Sequence, residues 1–195
     1  MYGKTREGIG LPALCDAEGI LLSKPVGGKL QDAALEGRLF MAANQTSTTT
    51  GLTLGNAFAG LAIVNPATTG KNYIMHEFAF AMTDSPTPNT NLSLAIGPAH
   101  SGFTTDITVR CARWGYATST ALADALATIT GASGIIVKQI ATLGTNLTTD
   151  MMLTGSVVDL GGQFVIPPGY AIYTDTTLVA GAVMMFSFTW EELDV

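Results

Sequence analysis

Few residues in this chain could do chemistry, and their spacing argues against catalysis. Among 195 residues there are two histidines, two cysteines and fifteen carboxylates. His76 sits in an apolar alternating run, where a single histidine is more often hydrogen-bonded in a core or interface than poised as a base. His100 lies in the loop Pro98-Ala99-His100-Ser101-Gly102. Neither has the near neighbours of a zinc site, and Cys15 and Cys111 lack metal-ligand spacing. Glu191 and Glu192 are adjacent on an alternating run, so they point to opposite faces and do not flank one bond. A solvated chain end is their expected fate. Asp150, Asp159 and Asp175 read as separate turn residues. There is no Gly-x-Ser-x-Gly elbow and no phosphate-cradling loop with its lysine. The expectation is a protein that is not an enzyme, with no catalytic residue, no metal and no cofactor. One cluster remains: Trp114 and Tyr116 beside Arg110 and Arg113. Such a group could stack a sugar or a base, or pack under a loop. The glycosylation patterns at Asn44, Asn91 and Asn146 read as chance matches in the absence of a secretion signal.

Composition bounds the partners. Charged residues make up 12% and apolar residues 47%, and the charged share is roughly half the usual one. That is too little charge to coat a solitary soluble monomer, so surplus apolar surface is expected to lie against copies of the chain or another partner. No window supplies the roughly 18 consecutive apolar residues of a spanning helix. The opening Met1-Tyr2-Gly3-Lys4-Thr5-Arg6 has no apolar signal core. The expectation is therefore no membrane, and synthesis in a cytoplasm where Cys15 and Cys111 stay free, buried thiols. A net charge of −6 argues against nucleic acid, whose phosphates need a basic face.

Charge and pattern divide the chain into 1–38 and 39–195. The first stretch balances five cations against five acids, whereas the rest sets four against ten. Its apolar residues come in short clusters, Leu11-Pro12-Ala13-Leu14 and Ile20-Leu21-Leu22, with no lasting period. It reads as an extended N-terminal arm that orders by lying on something, with Leu11, Leu14, Ile20, Leu21 and Leu22 as its docking residues.

The remainder is a series of short strands with turn signals between them, the pattern of an antiparallel β-sandwich or barrel. The stretch 178–190 alternates most clearly. Leu178, Ala180, Ala182, Met184, Phe186, Phe188 and Trp190 share an apolar face, with Val179, Val183 and Met185 on the other. This predicts a central strand whose outer face is partly covered, and it makes Val179, Val183 and Met185 candidate oligomer-interface residues. The acidic end 191–194 should stop the strand. Pro167-Pro168-Gly169 predicts a turn between two strands. In 73–83, Ile74, His76, Phe78, Phe80 and Met82 should share one face. Strands are also expected over 104–114, 151–160 and 164–166. The stretch 118–130 has alanine and leucine at helical spacing and reads as either one short helix or an irregular crossing loop.

Several runs carry a family resemblance: 37–46, Phe58-Ala59-Gly60-Leu61-Ala62-Ile63-Val64-Asn65-Pro66 with Gly70-Lys71-Asn72, the corner Ile166-Pro167-Pro168-Gly169, and the closing Phe188-Thr189-Trp190-Glu191-Glu192. Together these resemble structural virion proteins of tailed bacteriophages, namely capsid decoration, cement and head-fibre proteins. The resemblance implies an all-β, jelly-roll-like sandwich, a homotrimer or other self-assembly, and attachment to the major capsid protein or other virion proteins on the capsid exterior. It brings no catalytic residue. The alternative is a receptor- or glycan-binding head or tail fibre module, with Trp114 and Tyr116 stacking the ligand. A hydrolase on the same scaffold would lack an acid–base cluster.

Overall fold

The computed structural model describes residues 2–4, 10–12, 30–49, 58–84, 89–103, 106–127, 134–143, 155–176 and 183–195. The chain forms two units, Met1–Asp32 and Ala33–Val195. In the first, β1 (Tyr2–Lys4) pairs antiparallel with β2 (Gly10–Pro12). The expected docking residues Leu14, Ile20, Leu21 and Leu22 lie outside the described residues. The described helix, α1 (Gln31–Leu35), ends at Gly37, whose φ of 73° suits glycine. There the Gly37 N–H donates to the Ala34 carbonyl and the Arg38 N–H to the Ala33 carbonyl.

The second unit is a jelly-roll-like antiparallel β-sandwich. Its strands are β3 (Leu39–Ala43), β4 (Thr48–Thr49), β5 (Phe58–Asn65), β6 (Lys71–Asp84), β7 (Thr90–Pro98), β8 (Arg110–Cys111), β9 (Leu122–Ala127), β10 (Ile135–Leu143), β11 (Gly155–Ile166), β12 (Tyr170–Thr176) and β13 (Val183–Asp194). One sheet has the order β10-β7-β12-β5-β9. The other has the order β11-β6-β13-β3-β8, with β4 also paired to β13. From β5 to β9, and again from β10 to β13, successive strands alternate between the sheets. The Pro167-Pro168-Gly169 turn is one of these crossings. Gly169 takes φ 85°, and the Tyr170 N–H closes on the Pro167 carbonyl.

Strand β13 is central, flanked by β6 on one side and β3 on the other. Met184, Phe186, Phe188 and Trp190 are all buried on its inner face, as the alternation predicts. Phe188 packs 4.9 Å from Phe78 and Trp190 6.3 Å from Phe40, centroid to centroid. Residues 178–182 of the expected strand lie outside the described residues. At the other end the acidic residues do not stop the strand, which runs on through Asp194. Glu192 is buried, because Lys71 Nζ lies 3.3 Å from its carboxylate and the Ser119 hydroxyl donates to it. A carboxylate with two such partners continues a strand inward without an unpaired buried charge.

Four further expectations change. On β6 the buried residues are Tyr73 and Met75, then Phe78 and Met82. Thr189 pairs with Glu77 and Trp190 with Met75, so His76 is an extra residue that exchanges the two faces. Within 118–127, Leu122–Ala127 is a strand paired with β5, in place of the expected helix or irregular crossing. Alanine at 121, 123 and 125 serves this strand because all three are buried against neighbours, and that packing overrides helix propensity. Of the strand expected over 104–114, the described residues 106–114 form β8 and one isolated bridge from Ile107 to Ala123. Asp175 is no turn residue, since it lies buried within β12.

Two buried asparagines join the sheets' loose ends. Asn44 Nδ2 donates to the Thr46 carbonyl, the Thr48 hydroxyl and the Met184 carbonyl, and its Oδ1 accepts the Phe186 N–H at 2.6 Å. Asn65 Nδ2 donates to the Lys71 and Ile166 carbonyls, while its own carbonyl accepts the Gly169 N–H. The Asn44 side chain, with the acceptor pattern around it, is buried and engaged at both its nitrogen and its oxygen. Asn44→Ala leaves a buried N–H without its acceptor, so it should cost about 2–4 kcal/mol. Urea denaturation measures this; a loss under about 1 kcal/mol would show that Asn44 does not tie β13 to the β3–β4 connection.

Candidate functional site

The aromatic cluster is built on the turn that follows β8. Cys111 is buried and free, which anchors the turn's start. The Tyr116 N–H then closes on the Arg113 carbonyl at 3.1 Å, and Gly115 takes φ 74°. The two aromatic side chains have different fates. Tyr116 lies over Gly37, where an added Cβ would come within 2.1 Å of its ring. The Arg113 guanidinium sits 4.0 Å from the Tyr116 ring centroid and donates from Nη1 to the Leu35 carbonyl at 2.7 Å. Tyr116 and Arg113 therefore hold the end of α1, while Tyr116 keeps 56% of its surface exposed.

Trp114 is different. It is 80% exposed, and Arg110 lies 5.4 Å from its ring centroid. It stands between two grooves. One, of about 370 Å³, is bounded by Thr108, Tyr116 and Thr118. The other, of about 530 Å³, runs onto the outer face of the six-stranded sheet past Met41, Gln45, Ser187 and Thr189. An exposed indole beside a guanidinium and several hydroxyls can stack a flat apolar surface and hydrogen-bond its rim. Arg110, Met41 and Ser187 were not singled out as a set by the sequence. Only sheet pairing brings them together, although alternation in β13 already placed Ser187 and Thr189 on its outer face.

Of the expected interface residues, Met185 is 37% exposed on that outer face. Val183 is half-buried between Asp84 and Thr49, and its carbonyl accepts the Thr83 hydroxyl. Val179 lies outside the described residues, as do Cys15, Asn146 and Asp150. Leu11 lies within β2.

Each of the two histidines has a structural partner. His76 Nε2 lies 3.4 Å from Glu191, which also pairs with Arg38. His100 Nδ1 accepts the Gly102 N–H and closes its own turn. Glu191 and Glu192 do point to opposite faces, each with its own partners. Among the described residues no group of three His, Cys, Asp or Glu side chains could hold a metal ion. Among the described residues no helix is long and apolar enough to cross a membrane.

Asp175 and Tyr173 share a strand in the other sheet. Burial, with the Asp175 charge added, pushes the Tyr173 phenol up to about 12. Burial also raises the Asp175 carboxyl above its ordinary 3.8. A carboxyl raised in the folded state binds its proton more tightly folded than unfolded. Its stabilising contribution is then greatest below the unfolded value and falls as pH rises from about 4. Asp175→Asn should remove this fall. Urea midpoints from pH 4 to 7 should be flatter in the variant and higher than wild type at pH 7, and parallel curves would refute the assignment. No family model, curated protein or solved structure matches the chain.

Proposed function

We propose that this protein is a structural component of a phage particle, one that self-associates and binds the capsid shell as a decoration or cement protein. The observation that carries the reading is the edge strand β10. It presents Ile135 at 76% exposure, Ile136 at 38% and Val137 at 40%, three apolar residues in succession. Soluble proteins blunt such edges with charge, proline or a covering segment. An edge left apolar suits a chain that meets a partner along it. Val157 and Val165 are exposed on β11, the edge of the second sheet, and Lys138 of β10 reaches to 6.0 Å from the Phe164 ring of β11. Both edges therefore lie on one side of the sandwich. The acidic balance suits the outside of a particle filled with DNA, where a basic protein would bind nucleic acid indiscriminately. The resemblance to virion proteins supplies the capsid as partner, with the arm residues Leu21 and Leu22 as a second contact.

Co-sedimentation with capsid shells assembled without this protein tests the reading. Ile135→Lys with Val137→Lys, and separately Leu21→Asp with Leu22→Asp, should each weaken binding at least about tenfold. Substitutions at the exposed β10 positions should change stability by no more than about 0.5 kcal/mol. Wild-type protein that stays in the supernatant would sink the proposal.

A second reading, a glycan-binding head or tail fibre module, is favoured by the exposure of Trp114. It expects a saturable signal on a glycan array that Trp114→Ala abolishes. An array without signal would leave this reading no support.

A further inference from the structure

The outer face of the six-stranded sheet is flat and small-chained at its centre. Register places Ala43, Ser187, Ala79 and Val157 in one row, and Met185, Ala81 and Gly155 in the next. A shallow depression of about 260 Å³ lies over Ala43, Ala79, Ala81 and Met185. Met41, Met185 and Val157 are exposed there at 40%, 37% and 68%. A third row carries the charge. It runs Arg110, Met41, Thr189, Glu77, Asp159 from β8 to β11, with β13 at its middle. Its one cation is at one edge and its two carboxylates are at the other. Arg110 has no carboxylate partner among the described residues, and Glu77 is exposed.

Two copies can place such faces together in two symmetric ways. A two-fold axis across the strands would set Arg110 against Arg110 and carboxylates against carboxylates. A two-fold along the strands reverses the strand order instead, so that β8 of one copy lies over β11 of the other. Arg110 of each copy then meets the Glu77–Asp159 edge of its partner, and Ser187 and Thr189 meet their own counterparts on the axis. The interface is isologous, with its charges complementary rather than opposed. Alanine, serine and glycine at the centre let the sheets approach to the usual spacing of about 10 Å or closer. Trp114 and Arg110, the residue types most often dominant in interfaces, stand at the rim where the partner's Val157 arrives.

We infer that this face is where a second copy of the chain docks, related by a two-fold axis running along β13. The inference rests on the self-association reading but names a dimer contact in place of the trimer that the resemblance implies. Light scattering across a dilution series tests it. The wild-type chain should show twice its 20.2 kDa mass. Arg110→Glu should raise the dissociation constant at least about tenfold, and Ser187→Arg, a bulky charge on the axis, should do the same. Adding Glu77→Arg to Arg110→Glu should recover most of the loss, which a merely damaged fold would not do. An oligomer that Arg110→Glu leaves intact, or a loss that Glu77→Arg fails to recover, overturns the inference while sparing self-association. A wild-type monomer at every concentration overturns both. Saturable sugar binding that Trp114→Ala removes without changing the mass assigns the face to a ligand instead and also overturns it.

Discussion

A single inserted residue, His76, decides which side chains of β6 and β13 share a core. Before it Tyr73 and Met75 point inward; after it Phe78 and Met82 do. On the other side of β6, four residues of β11, from Leu160 to Gln163, stand opposite the same bulge. Gly161 and Gly162 take φ 59° and 74° there, and a Cβ on Gly162 would press to 3.2 Å from Ile74. Without the bulge, β6 would keep a single alternation and turn Ile74 and His76, in place of Tyr73 and Met75, toward the core beside Trp190 and Glu192. The change of face lets both halves of β6 pack beside the twelve-residue β13, which lines the core from end to end.

Polar groups hold the ends of that core because the strands run past the apolar region. Asn44 takes over the hydrogen bonding where β3 leaves the sheet, and Asn65 does so where β5 and β11 turn. Thr174 adds a third device, its hydroxyl accepting the Leu61 N–H at 3.0 Å in space kept open by Gly60. At the far end Glu192 is satisfied by Lys71 and Ser119, and the Glu192 N–H donates to the Arg38 carbonyl. Burial and the Glu192 charge together push the Tyr73 phenol well above its ordinary range, while its hydroxyl lies 3.0 Å from Thr120. These networks give structural partners to the buried polar and ionisable residues they contain.

What is left open on the sandwich is surface: an apolar edge, a flat face with charge separated along a row, and one indole standing clear. Under the proposed function, these are the surfaces that meet a partner. A body with so few charges gains by covering them, and the sheet geometry supplies the straight rows that a second sheet or strand could meet.

Composition and period-two alternation by themselves determined the all-β sandwich, the central place and inner face of β13 and the crossing turn at Pro167-Pro168-Gly169. These are legible because each depends on local pattern: side chains alternate and proline presets φ. Tertiary structure alone decided the bulge at His76, the strand at Leu122–Ala127, the burial of Glu192 and Asp175, and the packing of Tyr116 over Gly37. In each case a distant residue supplied the deciding contact: Trp190 for His76, β5 for the alanine-rich strand, Lys71 for Glu192, Gly37 for Tyr116. The row from Arg110 to Asp159 was hidden for the same reason. Its five members come from five strands, and only the hydrogen-bonded register of the sheet sets them side by side.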